Sequence, residues 1–345
     1  MCLLAWLSNI FKNSFKFCSV SVILSFMLSA LDLQIISTLS YSDQFADSLT
    51  ISDIKKRLVN KNLLPFVPKN IDVNKTITNR LKYLEDRGVL LNRDSYYFLR
   101  DEKQVKTQDQ KLNKMIALKQ ARLQNSIKIR RSIKKLLFLC VKIPWIKAIG
   151  ITGSVAVNSA RGNDDLDLIV VAEDNRLWIS RFILLIFSLV IGKKIIYWKQ
   201  NLLNNLKDGW CFNFWMEEGS LIIPISKQNY YTAFESLQID WIYDVDSIEQ
   251  KYYEQNNWIT NYFDSLPWIE NISLVKKNQK QKKTFFLINF LNQLIFVLDS
   301  KHLYRKNSIP KANLDLHQAS MHDDSSYCQY LDNWIKKYQD VVRKA

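Results

Sequence analysis

The residues best suited to chemistry lie in one short stretch, Gly153-Ser154 followed by Asp165-Leu166-Asp167. Two carboxylates at i and i+2 on a strand point to the same face. There they can share a hard divalent cation, magnesium or manganese, which bridges triphosphate oxygens and lowers the pKa of an attacking hydroxyl. A Gly-Ser pair at a strand end, opening a helix, lets backbone N–H groups approach a phosphate closely, and the serine hydroxyl adds a donor. A phosphate grip beside a metal-binding carboxylate pair is what nucleotidyl transfer requires. An isolated Asp-x-Asp is more often two solvated loop acids; the Gly-Ser upstream favours the metal reading. Asp164 adjoins the pair but projects the other way and reads as structural. Arg161 is either within reach of a phosphate or a plain surface arginine.

The surrounding pattern is β-α-β. Ala148–Ile151 is a short apolar strand, Leu166–Ala172 a nearly continuous one, Asn175–Gly192 a helix, and Lys194–Trp198 and Trp210–Met216 further strands. An apolar strand, Gly-Ser, a helix of about ten residues and then Asp-x-Asp leading an apolar strand resembles the polymerase-β-like nucleotidyltransferase superfamily. That resemblance implies that Gly153 and Ser154 hold the β- and γ-phosphates and that Asp165 and Asp167 bind magnesium. It also implies a third acid on a later strand, serving as metal ligand and general base. The strand in question reads Cys211-Phe212-Asn213-Phe214-Trp215, with Asn213 at the expected position. Asparagine can ligate a metal through its carbonyl but cannot accept a proton at neutral pH. Glu217 has the same strand parity and is the substitute if the strand runs on; without it the chain is a weakened or non-catalytic nucleotide binder. Trp210 and Trp215 flank the proposed site and either stack a base or pack the core. His317 and His322 read as packed or surface residues.

The elements that must position this stretch begin upstream. Residues 32–100 have the order helix, helix, helix, hairpin. Leu33, Ile35, Ile36 and Leu39 give a first helical face, and Thr50-Ile51-Ser52-Asp53 has N-cap chemistry. Asp72-Val73-Asn74-Lys75 opens a third helix carrying Ile77, Leu81 and Leu84, which ends at Gly88. Two apolar runs around Asn92-Arg93-Asp94-Ser95 form the hairpin. This order resembles a winged helix-turn-helix, whose third helix enters the major groove; Lys75, Asn79, Arg80 and Lys82 are then the nucleic-acid contacts. The alternative is a winged helix that only packs against its neighbour or forms a dimer. Residues 103–135 are densely basic, with Asp109 the single acid. Leu112, Ile116, Leu123 and Ile127 predict an amphipathic helix whose charged face follows phosphates or is solvated. The apolar run from Phe285 to Leu298 is expected to be buried against the core.

The chain has 345 residues and a formal net charge of +15, which points to a polyanionic partner or to a generally lysine-rich proteome. Its five cysteines are scattered, without Cys-x-x-Cys spacing, which argues against a disulfide framework or a zinc ribbon and for a reducing cytoplasm. The apolar stretches Phe17–Leu31 and Phe182–Gly192 are shorter than a membrane span, so no integral membrane segment is expected. The first reads as a signal peptide or as an extension upstream of a start at Met27, the latter preferred. The expected class is α+β. Residues 1–26 are an apolar extension, 27–102 a winged-helix domain, 103–143 a basic linker helix, 144–225 the nucleotidyltransferase core and 226–345 a helical C-terminal domain. The expected function is transfer of a nucleoside monophosphate from a magnesium-bound triphosphate to an acceptor hydroxyl. The alternative is a degenerate nucleotide-binding regulator that binds nucleic acid.

Overall fold

The structure is a computed structural model that describes residues 28–64, 76–100, 108–190, 209–264, 286–307, 313–321 and 327–345. Helix α1 (Ala30–Asp43) starts at a capping box: the Ser29 hydroxyl accepts from the Asp32 N–H, and the Asp32 carboxylate accepts from the Ser29 N–H at 2.7 Å. Thr50 and Asp53 repeat the device at α2 (Ile51–Lys56). Thr76 caps α3 (Ile77–Asp86); the expected opening residues Asp72–Lys75 lie outside the described residues. Gly88, with φ +71°, ends that helix in the left-handed conformation. Strands β1 (Leu90–Arg93) and β2 (Tyr96–Leu99) then pair antiparallel through a turn in which Asp94 and Ser95 both have positive φ. The order helix, helix, helix, hairpin is the expected one.

Helices α4 (Gln108–Arg130) and α5 (Ile133–Cys140) lead to strand β3 (Ile146–Ile151), the one-turn helix α6 (Gly153–Ala156), strand β4 (Leu166–Ala172), helix α7 (Leu177–Val190) and strand β5 (Trp210–Glu217). Beyond them come α8 (Tyr230–Leu237), β6 (Asp240–Asp244), α9 (Ile248–Gln255), α10 (Phe286–Asn307), β7 (Gln318–Ser320) and α11 (Tyr327–Val342). Five strands form one sheet in the order β6-β3-β4-β5-β7. β4 and β5 run parallel and the other neighbours antiparallel, so the fold is α+β with a mixed sheet.

One sheet face, carrying Ala148, Ile169, Val171 and Met216, packs with the N-terminal helices, α8 and α11. The other, carrying Ile149, Ile151, Leu168, Val170, Phe212 and Trp215, packs with α5 and α7. Helix α1 is buried on every side from Asp32 to Ser42. Several of its polar groups are answered internally: Gln34 donates to the Val59 carbonyl at 2.8 Å, Arg80 ion-pairs with Asp32, and the Trp334 indole donates to the Ser37 carbonyl at 2.9 Å.

Several expectations are corrected. The region 226–345 is not purely helical, because β6 and β7 are the two edge strands of the sheet; runs of three to five residues are too short to show a period. The segment expected to be a winged-helix domain shares its core with the sheet and with the last helix. The apolar run on α10 is only half buried. Asn292 accepts from the Trp178 and Ile179 N–H groups and Arg181 pairs with Asp299 at 2.8 Å, which seats one side on α7, while Phe286 is 86% exposed and Phe290 55%. The Lys194–Trp198 strand lies outside the described residues. Cys140 and Cys211 form no disulfide, as expected of scattered thiols, but Cys328 is disulfide-bonded. Among the described residues no helix is long and apolar enough to cross a membrane.

Arg80 is 5% exposed, stacks on Tyr83 and holds the fully buried Asp32, so it is a structural residue and not a groove contact. Arg80→Ala leaves that carboxylate buried and unpaired, and should lower the unfolding free energy by about 3–5 kcal/mol in urea titration. A loss under 1 kcal/mol would contradict this assignment.

Candidate active site

The antiparallel pairing of β3 with β4 sets Ile151 opposite Leu168, which brings the end of one strand beside the start of the other. The Thr152 N–H donates to the Asp167 carbonyl at 2.9 Å, extending the ladder into the turn. Gly153 follows with φ +64°, a left-handed conformation costly for any residue with a Cβ. Its Cα lies directly over the Asp167 side chain: a Cβ there would stand 2.5 Å from Asp167 Oδ2. The helix after the turn is a single turn, shorter than the ten residues expected.

Asp164 holds the turn from the other side. Its Oδ2 accepts from the Ser154 hydroxyl at 2.7 Å and from the Arg161 N–H at 2.9 Å, the structural role expected of it. Arg161 is exposed and stands on the rim of the cavity formed over the turn. That cavity holds about 280 Å³, and Gly153, Ser154, Asp167 and Asn213 share its lining.

Asn213 meets Asp167 with its amide, Nδ2 donating to Oδ1 at 2.6 Å, while its carbonyl accepts from the Cys211 thiol at 2.8 Å. The position of the missing acid therefore presents a donor. Glu217 does not replace it. The β4–β5 register shifts between Leu168 and Ile169, so Asn213 is the extra residue of a bulge. Before the bulge Trp210 and Phe212 face the α7 side; after it Phe214 and Met216 face the α1 side and Trp215 the α7 side. The bulge thus turns Glu217 to the face opposite Asp167. There it is buried, accepts from the Arg176 and Leu177 N–H groups at the start of α7 and meets His317 Nδ1 at 2.7 Å. Trp210 and Trp215 are core residues on that same face.

The residue that sequence reasoning missed is Glu235. It lines the cavity from α8, and its carboxylate accepts from the Gly153 N–H. Its signal was slight: it is the single charge in the apolar, aromatic run Tyr230–Leu237. Burial raises the Glu235 pKa to about 7, against the opposing pull of the Gly153 N–H and Arg57. Burial likewise raises Asp167 to about 7, with the charges of Glu235, Asp165 and Asp164 adding to it and the Asn213 amide opposing it. Asp165, just before β4, is near enough for its charge to add to that rise but is not among the residues that line the cavity.

Cations come from α4. Its buried stripe runs through Leu112, Ile116, Lys119, Arg122, Ser126 and Ile129, and not through Ile127, which is exposed. Lys119 and Arg57 pair with Asp47. Arg122 lines the cavity and donates to the Phe45 and Ala46 carbonyls at 3.0 and 2.9 Å. Arg130 donates to the Val155 carbonyl at 2.9 Å, at the C-terminal end of α6. The basic helix thus turns part of its charge inward. Of the expected nucleic-acid contacts, Asn79 and Lys82 are exposed on α3, Arg80 is buried and Lys75 lies outside the described residues; none lines the cavity.

Asp167 and Glu235, lining one cavity with pKa values raised chiefly by burial, offer oxygen donors that suit a hard divalent cation. Among the described residues, no three or more His, Cys, Asp or Glu side chains form a ready-made metal cage. The donor chemistry fits magnesium or manganese; the coordination would have to close as the ion and a phosphate arrive together.

An acid whose folded pKa is raised binds its proton more tightly in the native state, so its stabilising effect is complete below the unfolded pKa and is lost as pH rises to about 7. Asp167→Asn removes this penalty and should raise Tm by about 2–4 °C at pH 8 and by much less at pH 5, in scanning calorimetry. A lower Tm at pH 8 would overturn the assignment. Gly153→Ala should lower Tm at both pH values, because its Cβ meets Asp167 Oδ2 at 2.5 Å whatever the protonation state.

No protein-family model, no curated protein and no solved structure matches this chain.

Proposed function

We propose that the protein is a nucleotidyltransferase that moves a nucleoside monophosphate from a magnesium-bound triphosphate to an acceptor hydroxyl. The observation that carries this is the seating of Asp167 directly under Gly153, with Asp165 two residues away. A triphosphate on the turn would meet Asp167 beneath Gly153 and Glu235 on its N–H, carboxylates that only a cation between them and the phosphates would let it approach. Asp165 and Asp167 would hold the metal, with the Asn213 amide orienting Asp167. A bound magnesium ion supplies charge neutralisation at the phosphates and a lower pKa for the acceptor hydroxyl. To grip phosphate oxygens, the Ser154 hydroxyl and the Gly153 N–H would exchange the Asp164 and Glu235 carboxylates that now accept from them for the incoming phosphate, and Arg122 and Arg161 offset the remaining negative charge. The acceptor oxygen bonds to the α-phosphorus, the bond from the α-phosphorus to the bridging oxygen breaks, and pyrophosphate leaves. The acceptor proton passes to a cavity carboxylate, since Asn213 cannot take it. Such a reaction suits a triphosphate-rich compartment such as the cytoplasm.

A second reading is favoured by a different observation. With Asn213 at the third acid position and Glu217 turned away by the bulge, the site reads as a nucleotide sensor joined to a nucleic-acid-binding winged helix. The burial of Arg80 removes one of the contacts on which this reading drew.

Incubation with α-labelled nucleoside triphosphates should give magnesium-dependent pyrophosphate release or self-labelling, lowered at least a hundredfold in Asp165→Ala and Asp167→Ala, as for loss of an electrostatic catalytic group (~10²–10³). Label no greater than in those variants would remove the enzymatic reading. Triphosphate binding without turnover, together with nucleic-acid affinity that falls steeply with salt, would establish the sensor instead.

A further inference from the structure

The cavity extends beyond the Gly153 turn and the acids. Part of its lining is aromatic and comes from three helices distant in sequence: Phe45 just after α1, Tyr231 and Phe234 on α8 beside Glu235, and Tyr330 on α11. Tyr231 stacks on Tyr327 with centroids at 4.3 Å and lies nearly parallel to Tyr330, 11° apart at 5.6 Å, and Phe45 leans on Tyr330 at 5.3 Å. In the same wall Ser42 is 2% exposed and its hydroxyl has no hydrogen-bond partner, although it lines the cavity. Arg122, also buried and also lining the cavity, leaves its Nε without a partner. Both donors lie beneath the cavity surface, so a ligand would answer them only after their side chains turn into the cavity, and the aromatic lining carries the inference. Parallel aromatic faces beside them call for a flat ligand with polar edges.

We propose that this aromatic arm is a nucleobase subsite, with the base stacked against the Tyr231–Tyr330 wall and its polar edge read by the Ser42 hydroxyl once that buried side chain rotates into the cavity. This rests on the nucleotidyltransferase reading and deepens it by assigning the rest of the triphosphate. The phosphates lie at the Gly153 turn and the base lies toward α1 and α11. It also gives the last helix a role. Trp334 and Lys337 dock α11 on α1, the latter by an ion pair with Asp43 at 2.9 Å, and that docking places Tyr330 in the cavity.

The test compares nucleoside triphosphates with inorganic tripolyphosphate, which has the charge but no base, by isothermal titration of the full chain with magnesium. At least one nucleoside triphosphate should bind about tenfold or more tightly than tripolyphosphate. Tyr330→Ala should bring that ligand to the tripolyphosphate level and leave tripolyphosphate binding unchanged, which also shows that the variant is folded; Tyr330→Phe should retain the difference. Ser42→Ala should flatten the preference among the four bases. Equal affinity of wild type for both ligands, or an equal loss of both in Tyr330→Ala, would overturn the subsite while leaving the phosphate grip intact. Binding of neither ligand, or binding unaffected by Asp167→Ala, would remove the nucleotidyltransferase reading and the subsite with it.

Discussion

Asp167 can lie where it does because residue 153 has no side chain. The carboxylate occupies the volume that a Cβ would need, and the same glycine supplies the positive φ that turns the chain from β3 into α6. One residue type thereby meets two requirements, a tight turn and close approach of backbone to acid. Everything else at the site is arranged around this contact. Asp164 holds Ser154 from outside, Asn213 holds Asp167 from the neighbouring strand, and Glu235 takes the Gly153 N–H from above.

Such a concentration of acid in a partly buried cavity needs nearby cations, and α4 provides them from the inward side of what reads as a solvated basic helix. Lys119 and Arg57 meet on Asp47, Arg122 ties the end of the first helical layer to the cavity wall, and Arg130 reaches both the α6 carbonyls and Asp240 on the edge strand. These contacts join the N-terminal helices, the linker helix and the sheet through one polar seam. Buried ion pairs of this kind add little net stability but penalise any arrangement that leaves one partner alone. They favour a single seating of the N-terminal helices on the sheet, and the cavity lies in that joint.

The bulge on β5 decides the chemistry available at the third acid position. Strand parity alone would let Glu217 stand in for Asn213. An extra residue reverses the parity, and Glu217 becomes a cap for α7 on the far face. The only other carboxylate to enter the cavity from later in the chain is, among the described residues, Glu235, carried by a helix and approaching from the opposite wall.

The sequence by itself determined the local elements: the helix cap at Thr50, the hairpin at Asp94-Ser95, the strand Leu166–Ala172 and the closeness of Gly153-Ser154 to Asp165 and Asp167 in the chain. Each follows from side-chain chemistry or period within a few residues. Only the tertiary structure decided which face Glu217 meets, that Arg80 closes a buried pair with Asp32, that Lys119 and Arg122 point inward, and that Glu235 and Tyr330 enter the cavity. Those outcomes depend on contacts between segments far apart in the chain, where burial and charge pairing outweigh local propensity, and a single inserted strand residue can reverse what the pattern implies.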